Sequence, residues 1–265
     1  MSIQPIRLEP AFYEKVWGTT RLSPWYPDAK SKIGEAWFNS HNLPILVKFI
    51  FTSDRLSVQV HPDDTYAKTH ENSRGKAEMW YILRADPGAT IALGFREKIT
   101  RERLRESAIS GEIEHLLNWI PVAPGQAYFT PPGTVHAIGA GIALCEIQQN
   151  SDVTYRLYDY GRPRELHLDK AIDVAIPEPH PGAAIPTGRT LAACDYFPTE
   201  LWELSEMIAY QPDAGRFNIL IFIEGAGTIG GQEFKQGEAW LVPAGAETFP
   251  LSAHGKARML RTYVP

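Results

Sequence analysis

Short apolar runs separated by glycine and proline constrain the fold of this chain more than any other feature. Runs such as Leu56 to Val60, Met79 to Leu83 and Phe217 to Ile223 are rich in Val, Ile, Phe and Tyr and have the length of strands. The 265 residues include 21 Gly and 21 Pro, which favour turns and interrupt longer elements. The pattern predicts an all-β protein, built as sandwiches or barrels of short strands.

One segment departs from this pattern and has the three- and four-residue spacing of an amphipathic helix. Apolar residues recur between Ile99 and Ile120, and Thr100 is a suitable N-cap. We expect the Ser110-Gly111 pair to divide the segment into two short helices, because glycine often ends a helix. A further short helix is predicted over Leu168 to Ala175.

A proline-rich segment and an internal echo divide the chain into two modules. Residues 176–189 read IPEPHPGAAIPTGR, and their prolines cannot lie inside a sheet. The motif at 125–133 (GQAYFTPPG) matches 237–245 (GEAWLVPAG) at an offset of 112, and the preceding strands, Tyr81-Ile82 and Phe222-Ile223, correspond at an offset of 141. We predict a first β module over 1–178, with a helical insertion around 99–120, and a second β module over 179–265.

Charge and hydropathy exclude several classes of protein. The chain has 26 Lys and Arg against 31 Asp and Glu, a formal net charge of −5, and no basic block, so we expect no binding to nucleic acid. No run approaches the ~20 apolar residues that cross a bilayer, and residues 1–7 lack the apolar core of a signal peptide. We expect a cytoplasmic protein that binds no membrane and is a monomer or homodimer. Cys145 and Cys194 are expected to act as small hydrophobes.

Two strand-like segments place polar side chains on alternate positions. In residues 56–61 (LSVQVH), the leucine and valines point one way and Ser57, Gln59 and His61 the other, because side chains alternate along a strand. Residues 76–80 (KAEMW) alternate likewise, with Lys76 and Glu78 on one face. An ordinary half-buried strand would simply turn such polar groups to solvent, and the first segment taken alone fits that interpretation as well.

A second histidine, His136, follows the rigid turn at 131–133 (PPG). Combined with the two strands it completes a set of imidazole nitrogens and oxygens that suits Zn²⁺ or another divalent transition metal: Gln59, His61, Glu78 and His136. The second module has Thr248 where the first has His136, so we expect it to have lost the metal. Among the other histidines, His41, His115 and His167 fit core, surface or capping positions equally well.

A third block, EIQQNSDVTYRLYDYGR at 146–162, is unusually dense in polar groups for a strand pair, although a surface hairpin would also explain it. With SVQVHPDD (57–64), GKAEMWYIL (75–83) and PPGTVHAIG (131–139), this block resembles the type I mannose-6-phosphate isomerases of the cupin superfamily. VWG (16–18), GEAW (34–37) and LPILVKFI (43–50) fit the same family. The C-terminal stretch resembles the family's degenerate second cupin more loosely.

The resemblance implies two cupin β-barrels that interconvert D-mannose 6-phosphate and D-fructose 6-phosphate with one zinc ion. Matched motif by motif, it implies four metal ligands (Gln59, His61, Glu78 and His136), Arg156 beside the reacting carbons, and Lys76 and Glu146 at other active-site positions. It also implies that Ser57 and Lys48 hold the phosphate, and we expect Asp152 at the substrate. Glu146 and Lys76 are the two candidates for the base that takes the carbon-bound proton. The chain lacks the large helical domain of longer family members and so resembles the short bacterial form. Pro132 also replaces the commoner Ala.

Two other functions are compatible with a cupin fold, because cupins host many activities. One is a non-catalytic cupin that keeps the metal and binds a sugar phosphate, although a binder would need fewer charged residues than Lys76, Glu146 and Arg156 provide. The other is an Fe(II)-dependent oxidoreductase, which the extra glutamine ligand and the 146–162 block do not suit.

Overall fold

The computed structural model describes residues 4–39 and 43–265, and His41 lies outside the described residues. Strands predominate, which confirms the predicted all-β class. The strands are β1 (Ile6–Leu8), β2 (Ala11–Thr19), β3 (Ile33–Phe38), β4 (Ile45–Phe51), β5 (Val58–Val60), β6 (Glu78–Ala85), β7 (Thr90–Phe95), β8 (Leu117–Pro121), β9 (Ala127–Thr130), β10 (His136–Ile138), β11 (Ile142–Gln149), β12 (Tyr155–Tyr158), β13 (Thr190–Ala193), β14 (Pro198–Leu204), β15 (Ile208–Tyr210), β16 (Asn218–Glu224), β17 (Ala226–Ile229), β18 (Gln232–Lys235), β19 (Glu238–Val242), β20 (Phe249–Ala253) and β21 (Ala257–Tyr263). The helices are α1 (Asp64–Glu71), α2 (Arg101–Ser110), α3 (Ile113–Leu116) and α4 (Leu168–Val174).

These strands form two sandwiches, each with an inner and an outer sheet. In the first sandwich the inner sheet has the order β2-β3-β4-β11-β6-β9 and the outer sheet β12-β5-β10-β7-β8. In the second, the inner sheet is β1-β19-β16-β21-β14-β13 and the outer sheet β15-β20-β17-β18. The two inner sheets share one apolar core, in which Phe49 and Met79 of the first belong with Ile219 and Leu260 of the second.

Alternation along the inner strands gives the two faces of the first inner sheet different characters. On β4 and β11, Phe49 and Cys145 lie in the shared core, whereas Lys48 and Glu146 face the outer sheet of the same sandwich. All four side chains are buried. The same strands that build the core therefore deliver charged groups to the space between the sheets.

Three helices, α2, α3 and α4, contribute to an apolar cluster around Val58 and Val60, on the face of the outer sheet that is turned away from the inner sheet. This confirms the predicted orientation of the two valines. The predicted orientation of Leu56 is wrong, because β5 begins only at Val58 and Leu56 packs inside the sandwich with Trp80.

The segment predicted to be helical over 99–120 is helical only as far as residue 116. Thr100 caps α2 by accepting a hydrogen bond from the backbone N–H of Arg103, and the chain leaves this helix at Gly111, whose φ is +84°. Leu117–Pro121 is instead strand β8, because its backbone groups pair with β7. Ile109, which matched the helical spacing, is exposed.

The internal echo is visible in the two inner sheets, but its strands correspond one residue earlier than predicted. In the first module the N–H of Gly125 donates to the carbonyl of Ile82 at 2.9 Å, and in the second the N–H of Gly237 donates to that of Phe222 at 2.8 Å. The strands therefore correspond at an offset of 140 instead of 141. Because a shift of one residue exchanges the faces of a strand, the corrected offset changes which residue of β16 corresponds to Glu78 of β6.

The division of the chain at residue 178 stays a prediction. The proline-rich segment forms isolated bridges only, such as Gly94 with Pro179, as expected where prolines interrupt pairing. Strand β1 pairs with β19, with Ile6 opposite Leu241, so the first strand of the chain lies in the inner sheet of the second sandwich. Among the described residues, none of the helices has the length and apolar character needed to cross a membrane.

Candidate active site

A cavity of about 360 Å³ lies between the inner and outer sheets of the first sandwich. It is lined by Lys15, Trp17, Glu35, Trp37, Lys48, Ile50, Leu56, Ser57, Gln59, Lys76, Glu78, Glu146, Asp152, Thr154, Arg156 and Arg164. Eight of the ten residues predicted from the sequence are among them. The other two, His61 and His136, contact Glu78 at the buried end of the cavity.

His61, Glu78 and His136 come from three neighbouring segments of the sandwich. His61 directly follows β5, Glu78 begins β6 and His136 begins β10. Oε1 of Glu78 lies 3.1 Å from Nε2 of His61, and Oε2 of Glu78 lies 3.6 Å from Nε2 of His136. None of the three side chains is more than 1 % exposed.

Backbone carbonyls fix the orientation of both imidazoles. Nδ1 of His61 lies 2.9 Å from the carbonyl oxygen of Val153, and Nδ1 of His136 lies 2.9 Å from that of Thr134. Because a carbonyl only accepts hydrogen bonds, Nδ1 of each neutral ring carries the proton and Nε2 keeps its lone pair. Both lone pairs are thus directed toward Glu78, in the arrangement that metal-binding histidines commonly have.

The cluster fits a divalent metal ion on its own geometry. One ligand atom from each of the three residues lies within 4.8 Å of the others. Oε2 of Glu78 and Nε2 of His136 are buried without a hydrogen-bond partner, which is costly unless another group satisfies them. Two imidazole nitrogens and a carboxylate oxygen are donors that transition metals accept.

Charge in this part of the cavity is dominated by Lys76. Its Nζ lies 2.8 Å from Oε1 of Glu78 and 3.3 Å from Nε2 of His61. Burial, together with the nearby Lys76, lowers the pKa of His61 to about 3, so this imidazole is neutral at physiological pH. Burial opposes the charged form of Glu78, but the nearby Lys76 outweighs burial and lowers the pKa of this carboxyl.

Glu146 and Lys48 form a second buried pair on the inner sheet. They are directly opposite each other on β11 and β4, and Nζ of Lys48 lies 3.2 Å from Oε1 of Glu146. The indole N–H of Trp80 donates to Oε2 of Glu146 at 2.9 Å. Burial, with repulsion from Glu78, raises the pKa of Glu146 above its usual value.

The opposite wall of the cavity is formed by β5 and β12. Gln59 pairs in register with His136 on one side and with Arg156 on the other. Nη1 of Arg156 donates to the carbonyl oxygen of Glu165 at 2.7 Å. The register therefore brings an amide and a guanidinium to the wall that faces Glu146.

Proteins of known function resemble this chain over nearly its whole length. Mannose-6-phosphate isomerase ManA of Bacillus subtilis (strain 168) is 35 % identical, and the match covers 97 % of this chain and 98 % of the relative. The chain belongs to the mannose-6-phosphate isomerase family. The mannose-6-phosphate isomerase of Streptococcus mutans serotype c is also 35 % identical, over 84 % of this chain and 74 % of the relative.

The match to the mannose-6-phosphate isomerase family extends to the fold. The crystal structure of mannose 6-phosphate isomerase from Bacillus subtilis matches with a TM-score of 0.87 at 29 % identity, covering 98 % of this chain and 99 % of that chain. Residues 187–264 match the family described as mannose-6-phosphate isomerase, cupin domain. The resemblance seen in the sequence motifs and the predicted cupin fold are confirmed.

Two cavity residues in the family motif GEAW had no predicted role. Glu35 accepts hydrogen bonds from Nζ of Lys15 at 2.9 Å and from the indole N–H of Trp37 at 3.2 Å. The Trp37 ring lies 4.5 Å from Nζ of Lys48. Alternation along β3 was the available signal, since Glu35 and Trp37 alternate with the core residues Ala36 and Phe38.

The second sandwich has an asparagine where the mannose-6-phosphate isomerase site has its carboxylate. The corrected offset of 140 places Asn218 at the position of Glu78. Asn218 is fully buried, and its Oδ1 accepts a hydrogen bond from Nε of Arg261 at 2.8 Å. Within residues 4–39 and 43–265, the cluster in the first sandwich is the only His, Cys, Asp and Glu group suited to a metal ion.

The second sandwich also repeats the lysine–glutamate pair with the charges exchanged. Glu200 lies opposite Arg261 on β14 and β21, as Lys48 lies opposite Glu146 on β4 and β11. Nη1 of Arg261 lies 3.0 Å from Oε2 of Glu200. The two modules thus share strand register and differ in the chemistry that they place between their sheets.

Proposed function

We propose that this chain interconverts D-mannose 6-phosphate and D-fructose 6-phosphate, with one zinc ion held by Gln59, His61, Glu78 and His136. The observation that carries the proposal is the buried cluster with two unpartnered ligand atoms at the end of a charged cavity. Relatives that are named mannose-6-phosphate isomerases support the choice of substrate. Gln59 lies opposite His136 in the pairing of β5 with β10, which supports its inclusion in the ligand set.

Bound at this cluster, a divalent metal would act as a Lewis acid toward the oxygens at C1 and C2 of the sugar. Nitrogen and oxygen donors of this kind are common zinc ligands. The chain itself supplies further positive charge, because Lys76 remains cationic. Burial opposes that charge, but Glu78 and Glu146 outweigh burial and raise the pKa of Lys76.

We assign the transfer of the proton between C2 and C1 to Glu146. Lys48 and Trp80 each donate a hydrogen bond to one of its carboxylate oxygens, which fixes the group at the cavity wall. Because burial raises its pKa, Glu146 is a stronger base than a carboxylate in water. Lys76, the other candidate, is held by Glu78 as an ammonium and serves as a donor to a sugar oxygen.

Arg156 is positioned to stabilise the negative charge that develops on the two sugar oxygens. Its guanidinium stays protonated and presents several donors in a fixed plane. Ser57 and Asp152 line the same cavity and remain predicted substrate contacts. The predicted phosphate role of Lys48 is less well supported, because Glu146 already neutralises its charge.

A coupled assay of fructose 6-phosphate formation from mannose 6-phosphate tests the function. We expect turnover by the metal-loaded protein, loss of turnover after chelation, and recovery on adding zinc. Circular dichroism before and after chelation controls for unfolding. No turnover with zinc, cobalt or manganese would contradict the isomerase and favour the non-catalytic binding function. The structure itself argues against that second function, because Lys76, Glu146 and Arg156 line one cavity.

A further inference from the structure

Arg164 lines the cavity but has no part in the mechanism above. It lies between β12 and α4, on the same wall as Arg156, and its nearness adds to burial in lowering the pKa of Arg156. The side chain of Arg164 is 31 % exposed, whereas those of His61 and Glu78 are 1 % exposed. Arg164 therefore marks the open end of the cavity, and the histidine–glutamate cluster marks the buried end.

The carboxylate of Asp159 holds the guanidinium of Arg164 in a fixed orientation. Nε of Arg164 donates to Oδ2 of Asp159 and Nη2 donates to Oδ1, both at 2.6 Å. The Asp159 side chain is only 1 % exposed. Such a two-point contact fixes the plane of a guanidinium. Among the described residues Nη1 of Arg164 has no hydrogen-bond partner, so this atom remains available to a ligand.

Positive charge without a compensating carboxylate is concentrated at this end of the cavity. Each cavity lysine has a carboxylate within 3.2 Å: Lys15 has Glu35, Lys48 has Glu146 and Lys76 has Glu78. By contrast, Arg164 and Arg162 share Asp159, and the second carboxylate of Arg162, that of Asp54, lies 3.7 Å away. Arg156 makes no ion pair with any carboxylate in the described part of the chain. Within the described ranges, Arg156, Arg162 and Arg164 therefore have only two carboxylate partners between them, Asp159 and Asp54.

We infer that Arg164 binds the phosphate group of the substrate and that Asp159 is its positioning residue, an inference that rests on the proposed function. The phosphate is on C6, at the far end of the sugar from the reacting C1 and C2, so it must bind away from the buried cluster. Arg164 offers charge and an oriented donor at the open end, where an anion keeps part of its hydration. Lys48 is buried and already neutralised by Glu146.

Steady-state kinetics of an Arg164→Met variant test the inference. We expect KM for mannose 6-phosphate to rise about 10- to 100-fold, with kcat within about threefold of the parent, because a charge-assisted contact to a non-reacting group is lost. The Ki of inorganic phosphate as a competitive inhibitor should rise by a similar factor. Arg164→Lys keeps the charge but loses the two-point contact with Asp159, and should give intermediate values.

Arg162→Met is the matched control. Arg162 shares the carboxylate of Asp159 but does not line the cavity, so its KM and phosphate Ki should stay within about twofold of the parent. The Asp159→Asn variant should shift both constants in the same direction as Arg164→Met. The double variant should be no worse than Arg164→Met alone, which a purely structural role of Asp159 would not produce.

Unchanged KM and phosphate Ki in Arg164→Met would overturn the inference, and so would equal shifts in Arg162→Met. Metal content and circular dichroism of each variant exclude unfolding as the cause. If the parent protein shows no turnover, the proposed function fails, but the role of Arg164 remains decidable by calorimetry. Metal-loaded parent should then bind inorganic phosphate more tightly than metal-loaded Arg164→Met, and equal binding would overturn the role.

Discussion

Arg261 occupies in the second sandwich the register position that Glu146 occupies in the first. Its guanidinium donates to Glu200 at 3.0 Å, to Asn218 at 2.8 Å and to Tyr210 at 3.1 Å. Hydrogen bonds to other protein groups thus satisfy the guanidinium of Arg261. At the same position in the first sandwich, Glu146 lines a cavity. The exchange leaves the charged groups of the first module facing a cavity and pairs those of the second module with protein groups.

The Arg261→Met variant is expected to lose stability and keep catalytic activity. Removing the guanidinium leaves Glu200 partly buried without its cation, which costs about 3 kcal/mol for a buried pair. Urea unfolding should show the loss in the free energy of unfolding, while kcat and KM of the folded protein stay unchanged.

A second substitution separates charge from packing at this position. Arg261 also pairs with the more exposed Asp213 at 2.5 Å. In the double variant Arg261→Met and Glu200→Gln, only Asp213 is left without its cation, so we expect part of the stability to return. A large fall in kcat for Arg261→Met under conditions where it is fully folded would contradict a purely supporting role for the second sandwich.

The His136→Ala variant is expected to lose its metal and its turnover together. His136 offers one of the two unpartnered buried ligand atoms, and alanine offers no replacement. Elemental analysis of the purified protein measures the metal, and the coupled assay measures turnover. His254→Ala, at an exposed position, is the control and should retain both. Unchanged metal content in His136→Ala would show that the assigned ligands are wrong.

The Glu146→Gln variant is expected to keep the metal and lose turnover. Glutamine preserves the shape of the side chain and can still accept a hydrogen bond, but it cannot take a proton from carbon. Loss of a general base commonly lowers kcat by about 10²- to 10⁴-fold. The comparison with Lys76→Met decides the assignment. If Glu146 is the base, Lys76→Met should still exchange the C2 proton slowly in deuterated water, whereas Glu146→Gln should not. The opposite result would assign the base to Lys76.

Much of the candidate site could be predicted because strands repeat every two residues. The alternation in 57–61 and 76–80 places Gln59, His61 and Glu78 on faces that do meet in the structure. Period-two patterns survive folding whenever one face of a strand is buried. His136 could be predicted for a different reason, since the proline–glycine turn before it sets where the next strand begins.

The remaining features depend on contacts that the sequence pattern does not encode. Leu117 has helical spacing but lies in β8, because pairing with β7 outweighs a local preference. Arg164 and Asp159 meet in an irregular segment, where no periodicity relates one side chain to the next. The one-residue error in the echo has the same origin, since apolar residues fill both faces of β16 and leave its register undetermined by composition.

Gly133 should couple the turn before His136 to metal binding. Its φ is +85°, its N–H donates to the carbonyl of His61 at 2.8 Å, and an added Cβ would lie 2.8 Å from Cδ1 of Ile176. Gly133→Ala is therefore expected to lose about 2 kcal/mol of stability and to bind the metal more weakly, because strain and contact act together. Gly88→Ala is the matched control, since its φ is +82° and nothing lies within 4 Å of an added Cβ. It should lose only about 1 kcal/mol, from strain alone, and keep the parent's metal affinity. Equal losses of stability in urea unfolding, with equal metal affinities by titration, would show that the turn does not position the histidines.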